Sequence, residues 1–172
     1  MTDHPPVEVT NLDRYDHDTL PWDRAHFLLA TSSGEDITWF LGTVRPDGRP
    51  HAAGVGAIWY DGALHFTSGP GARKTRNLQA DPNCTISVRL DGLDLNLEGT
   101  AHRVTDAATV RGVAALYAEN GWPATGEGDT ITAPYSAPTA GPAPWHVYRF
   151  SMRVAFGIAT AEPYGATRWR FA

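Results

Sequence analysis

The sequence predicts a mainly β protein, a barrel-like antiparallel sheet with helices inserted between its strands. Three observations lead there. Asp-Gly pairs at Asp47-Gly48, Asp61-Gly62 and Asp91-Gly92 separate β-rich runs, a strong hairpin signal. Cys84, Ile86, Val88 and Leu90 alternate with Thr85, Ser87 and Arg89, the period of two that a half-buried strand shows. The strand–helix–strand rhythm of a parallel sheet is absent.

In chain order, Thr19 to Ala30 predicts a short helix entered through Pro21, with Leu20, Phe27, Leu28 and Ala30 as its apolar positions. Strands follow over Thr38 to Arg45, Pro50 to Tyr60 and Ala63 to Ser68. Residues Cys84 to Leu90 and the run carrying Leu93, Leu95 and Leu97 complete a five-strand meander. It is interrupted by a helix over Pro70 to Asp81, capped by Ser68 or Gly69 with Pro70 at its first position. A second inserted helix spans Ala107 to Asn120 behind an Asp106 cap, its stripe made by Val110, Val113, Ala114, Leu116 and Tyr117. Gly121 to Pro144 holds five prolines and is too long for an ordinary connection, so it reads as a lid or a linker-like loop. Trp145 to Phe171 returns to strand, broken near Glu162-Pro163 and Gly165.

A chain of 172 residues makes one domain, 1–172, with an N-terminal helical extension over 1–36 and the Pro/Gly-rich loop over 121–144. Nineteen acidic against fourteen basic residues give a net charge of -5, the wrong sign for a protein that neutralises nucleic-acid phosphates. No 18-residue apolar run and no basic leader pattern occur, so a cytoplasmic protein without a membrane partner is expected. The single Cys84 sits in an apolar alternation as a small buried hydrophobe. Seven scattered histidines include no i, i+4 pair, and no metal site is indicated. Neither a Gly-x-Ser-x-Gly elbow nor a Walker A loop is present, since Ser68 and Arg73 stand where that loop needs glycine.

The segment Phe66-Thr67-Ser68-Gly69-Pro70-Gly71-Ala72-Arg73-Lys74-Thr75-Arg76-Asn77 leaves a strand, turns through glycines and enters a helix with three cations in four positions. Outward N–H groups at the helix start, the hydroxyls of Thr67 and Ser68, and Arg73, Lys74 or Arg76 suit a phosphate. Helical spacing keeps all three cations from pointing the same way, and Arg73 and Arg76 also read as a solvated helix face with acidic neighbours. Upstream, Gly54 and Gly56 leave one strand face bare while Ala53, Val55, Ala57 and Trp59 occupy the other. A bulge, a barrel corner, a packed backbone or a flat ligand would each account for it.

In their order, Phe40-Leu41-Gly42-Thr43-Val44, Asp47-Gly48-Arg49-Pro50-His51, Ile58-Trp59-Tyr60-Asp61-Gly62, Phe66-Thr67-Ser68, Lys74-Thr75-Arg76-Asn77-Leu78 and Asp81-Pro82 resemble the flavin- and deazaflavin-dependent oxidoreductases of the split β-barrel superfamily, which includes pyridoxamine 5'-phosphate oxidase. The ending Ala166-Thr167-Arg168-Trp169-Arg170-Phe171 is similar to actinobacterial members of the F420 type. The resemblance implies an antiparallel split β-barrel and a homodimer with the cofactor at its interface. Lys74, Thr67 and Ser68 would hold phosphate, beside the Arg73 of the local reading and assisted by Arg76 or Asn77, and the backbone of Val55, Gly56, Ala57, Ile58 and Trp59 would face the ring. Arg49 and His51 are further candidates, and Trp169 and Arg170 would either close the site, from either subunit, or simply complete the sheet as an aromatic end strand. The cofactor implied is F420, with FMN the alternative. The activity implied is hydride transfer to an electron-poor C=C or C=N bond of a planar small-molecule substrate, with His51, Tyr60 or water as proton donor. Two alternatives stand beside it: an FMN-dependent oxidase or reductase like pyridoxamine 5'-phosphate oxidase, and a non-enzymatic binder of flavin, haem or tetrapyrrole.

Overall fold

The computed structural model describes residues 5–33 and 37–172; residues 1–4 and 34–36 of the expected N-terminal extension lie outside the described residues. The chain forms β1 (Glu8–Asn11), α1 (Trp22–Thr31), β2 (Trp39–Val44), β3 (Pro50–Val55), β4 (Ala57–Tyr60), β5 (Ala63–Ser68), α2 (Arg73–Ala80), β6 (Asn83–Leu90), β7 (Leu93–Val104), α3 (Ala107–Glu119), β8 (Thr125–Glu127), β9 (Thr130–Thr132), β10 (Trp145–Ala159) and β11 (Ala166–Arg170). All pairings are antiparallel, as the Asp-Gly turns predict. Gly48, Gly62 and Gly92 take positive φ in those turns, where a side chain is strained.

The strands run in the order β1-β11-β10-β7-β6-β2-β3, and β5 and β9 branch from β10. The long β10 is the spine: Trp145 to Phe150 pair with β9 or β5, and Val154 to Ile158 pair with β11. A register shift between Met152 and Val154 marks the change of partner. Inside lies the main core, built on Trp39, Leu41, Phe66, Ile86, Leu95, Leu97, Phe150 and Trp169. A second core forms where α3 lays Val110, Val113, Ala114 and Tyr117 against Ile58, Ile131, Trp145 and Val147. The stripe read from the α3 sequence is the face it buries, and Asp106 caps it by accepting from the Thr109 N–H at 2.8 Å.

Five expectations are corrected. Pro50 to Tyr60 is two strands, because the chain leaves β2 at Gly56 to pair with β5 instead, and the Tyr117 hydroxyl donates to the Gly56 carbonyl at 2.6 Å at the break. The five strands are therefore no simple meander: β2 lies between β3 and β6, and β5 pairs with β10. The helix expected from Pro70 starts at Arg73, with Ala72 at its cap position and no side-chain cap, because Gly69 to Ala72 form a turn closed by Ala72 N–H on the Gly69 carbonyl. The N-terminal extension contributes the edge strand β1 as well as α1, and the 121–144 segment contains the hairpin β8–β9, so it is not wholly loop. Cys84 is buried and its thiol is pushed up to about 12 by that burial, in keeping with a structural role.

Candidate functional site

A cleft of about 620 Å³ opens where β3 hands over to β4, facing the start of α2 and the 121–144 segment. Gly54, Val55, Gly56, Ala57 and Ile58 form one wall, and Thr67 and Lys74 form the end beside α2. A Cβ on Gly54 or Gly56 would meet nothing within 4 Å, so the bare backbone is not explained by internal packing. Gly56 is explained by the corner where the chain changes partner, and Gly54 leaves open space on the cleft wall that a flat ligand could occupy.

Lys74 is the cation of α2 that lines the cleft. Half-buried, its ammonium has its pKa lowered by desolvation, whereas Arg73 and Arg76 are exposed and do not line the cleft. His51 has its pKa lowered first by burial and then by the nearby charges of Arg45, Arg73 and Lys74. Four basic residues thus converge on one corner of a protein that carries net negative charge. Among the described residues, no carboxylate forms an ion pair with Arg45, Arg73, Lys74 or Arg76, and the buried Nε of Arg45 has no hydrogen-bond partner. With the first N–H groups of α2 left without a side-chain cap, this corner has the charge and the free donors that suit an anion.

Several candidates are placed elsewhere. Ser68 is buried, and since Thr75 Oγ1 donates to the Gly69 carbonyl at 2.7 Å, Ser68 donates its own proton to Thr75 across 2.7 Å. The pair fastens the turn before α2 and leaves Ser68 no proton for a phosphate. Asn77 is fully buried and donates to Thr43 Oγ1 at 2.9 Å, tying α2 to β2 without reaching the cleft. Trp59 projects away from this cleft and meets His26 edge-on at 5.3 Å. Arg49 is held by Asp47, with 2.7 Å between Nη2 and the carboxylate. The Tyr60 hydroxyl lies against Gly112 on α3, where an added Cβ would come within 3 Å of it. Trp169 is fully buried against Gly157 and Trp22 and completes the core, so its ring is closed to any ligand, while Arg170 pairs with Glu8 at 3.2 Å.

The cleft also holds residues with no site signal in the sequence: Trp39 on β2, Tyr117 from α3, Asn120 at its C-cap, then Trp122 and Tyr135. The Pro-rich segment is a wall of the cleft. Trp122 Nε1 donates to the Tyr135 carbonyl at 2.7 Å, the Tyr135 hydroxyl donates to the Gly121 carbonyl at 3.0 Å, and Trp122 packs edge-on to Tyr117 at 5.0 Å. At its far end, the Ala140 carbonyl lies 2.7 Å from where a Gly69 Cβ would stand, so wall and anion corner touch. Tyr117 is an apolar-stripe residue whose hydroxyl also has a task; burial raises its pKa and keeps it a neutral donor to Gly56. Nothing in the spacing separates that from ordinary packing.

Among the described residues, no group of three or more His, Cys, Asp or Glu side chains is placed to hold a metal ion, and no helix is long and apolar enough to cross a membrane.

Residues 30–134 match the family model described as pyridoxamine 5'-phosphate oxidase. No curated protein matches the chain. Among solved structures, a conserved hypothetical protein of Mycobacterium tuberculosis is 19% identical with a TM-score of 0.61, covering 86% of this chain and 89% of that one. An F420 reductase is 23% identical with a TM-score of 0.51 over 76% of this chain and 94% of its own. A putative pyridoxamine 5'-phosphate oxidase of Listeria innocua is 16% identical with a TM-score of 0.55, covering 77% and 94%. At these identities the likeness is one of fold.

Proposed function

This chain belongs to the pyridoxamine 5'-phosphate oxidase family, and from that premise we propose that it is a reductase that binds the deazaflavin F420 in the cleft between β3–β4 and α2. The observation that carries the reading is the pairing of a side-chain-free strand at Gly54 and Gly56 with the half-buried Lys74 at the uncapped start of α2. One suits a flat ring and the other its phosphate. When bound, the reduced deazaflavin supplies a hydride for an electron-poor C=C or C=N bond of a planar substrate.

The chain's own residues then bind, orient and exclude water. Lys74, Thr67 and the α2 N–H groups hold the phosphate, the backbone of Gly54 to Ile58 carries the ring, and Trp122 and Tyr135 give the substrate flat apolar surface. Burial first, and then the nearby cations, disfavour protonation of His51, and Tyr60 is packed against α3, so water is the proton donor in this reading.

F420 is placed ahead of FMN because the basic corner exceeds the need of one phosphate. F420 carries a phosphodiester and a tail of several carboxylates, which Arg45 and Arg73 beside Lys74 suit, whereas FMN leaves most of that charge unused. The family match, with its oxidase description, keeps FMN as the second reading.

The functional unit is a homodimer in this account. The outer face of β2 and β3 presents Phe40, 52% exposed, and Val44, 38% exposed, opposite Gly54 and Pro50. This small apolar face borders the cleft through Gly54, so a second copy seated on it would help to enclose the cofactor. A cytoplasmic setting accords with the single buried cysteine.

Side-by-side titrations of the purified, cofactor-free protein with F420 and FMN at two salt concentrations test the reading. F420 is expected to bind at least tenfold more tightly, with the steeper loss on adding salt. Tight FMN with weak F420 assigns the site to FMN chemistry, and weak binding of both overturns the assignment of the cleft.

A further inference from the structure

A second cleft, of about 490 Å³, shares no lining residue with the first. The neighbours Ile58 and Trp59 of β4 line the one and the other. Its walls are ring-rich: Trp22 and His26 from α1, Trp59 from β4, Phe150 from β10 and Phe171 after β11. The rings meet edge to face, Trp22 with Phe171 at 4.7 Å and 63°, His26 with Trp59 at 5.3 Å and 86°. Trp59, His26 and Phe171 are only half-buried, so their exposed surface faces water in a space of ligand size.

At the same cleft lies Arg149 of β10, its side chain 42% exposed. Its hold on Asp61 is slack: 3.7 Å to the carboxylate and 3.4 Å to the carbonyl. The pairs Arg89–Asp94 and Arg103–Asp129 close to 2.7 and 2.6 Å. A guanidinium so loosely engaged keeps its donors for a planar anion, which it recognises with two parallel hydrogen bonds. Edge and face surfaces of this kind favour a flat ring over an aliphatic chain.

From these features we infer that the second cleft is a binding site for a flat aromatic or conjugated carboxylate, its ring among Trp22, Trp59 and Phe171 and its carboxylate on Arg149. Within one chain the ligand lies outside the cofactor cleft, so it is bound alongside the cofactor and is not the molecule reduced there. Occupancy bears on Trp59, and through β4 on Ala57 and Ile58 of the cofactor wall.

The test uses 2-naphthoate as probe and 2-naphthalenemethanol as its uncharged counterpart, with the full-length protein, cofactor-free and cofactor-loaded. Indole N–H resonances report the site. Naphthoate is expected to shift those of Trp22 and Trp59 and leave those of Trp39 and Trp122 in place, with and without cofactor. Arg149→Gln should weaken naphthoate about tenfold or more and leave the alcohol unchanged. Arg149→Lys should restore part of the affinity, and Lys74→Ala should have no effect. The inference is overturned if Trp39 and Trp122 shift instead, if the cofactor displaces naphthoate, if Arg149→Gln binds as well as the parent, or if nothing shifts at millimolar probe.

Discussion

His65 on β5 is fully buried beside the Tyr60 ring; its Nδ1 lies 3.2 Å from the Ala63 carbonyl and its Nε2 has no partner. Burial is the main cause that lowers its pKa from 6.5 to about 4, and the Ala63 carbonyl only partly opposes it. The folded imidazole is therefore neutral, and the unfolded one takes up a proton first as pH falls. Its contribution is complete above pH 6.5 and is lost between 6.5 and 4. At about 1.4 kcal/mol per pKa unit, the whole window is worth about 3 kcal/mol, of which about 2 kcal/mol is gone at pH 5. Urea unfolding at pH 7.5, 6 and 5 measures this directly, with His65→Leu as the non-titrating comparison. Wild type should lose about 2 kcal/mol more than His65→Leu between pH 7.5 and 5. Equal losses in the two proteins would refute the reasoning, because the titration would then belong to other groups.

Gly54→Val places a side chain where a Cβ meets open space, so the fold should keep its stability within about 1 kcal/mol while F420 or FMN affinity falls at least tenfold, as read by thermal melting and fluorescence titration. Ser68→Ala removes the donor to Thr75 and should cost about 1 kcal/mol of stability with little loss of cofactor affinity, the reverse of Thr67→Ala. Phe40→Asp puts a charge on the outer β2–β3 face and should shift the protein to monomer in light scattering; an unchanged mass would remove this face as the dimer contact.

How much of this was legible in the sequence depends on the range of the interaction concerned. The Asp-Gly turns, the Cys84 to Leu90 alternation and the Asp106 cap with its helix stripe are local signals, and each stands where the sequence placed it. The break at Gly56 was not legible, because it depends on β5 and Tyr117, which lie far along the chain. Local pattern brought Lys74 and Gly54–Gly56 forward, and they line one cleft. It brought Ser68 and Asn77 forward for the same reason, but a polar residue beside a helix start looks alike whether its protons serve a ligand or the turn. Trp169 shows the limit most plainly: the resemblance implies a cofactor contact, while the bare Gly157 opposite draws the ring into the core. The aromatic wall from Trp122 to Tyr135 was hidden inside a segment whose prolines read only as loop.

The most direct test of the central claim, that Lys74 anchors a cofactor phosphate in the β3–β4 cleft, is an equilibrium titration of wild type and Lys74→Ala with F420 and FMN at one fixed salt concentration. Lys74→Ala should lose at least tenfold in affinity for the preferred cofactor, with unfolding stability unchanged or raised because a half-buried ammonium is removed. Unchanged affinity in a folded Lys74→Ala protein would contradict it and move the phosphate site away from α2.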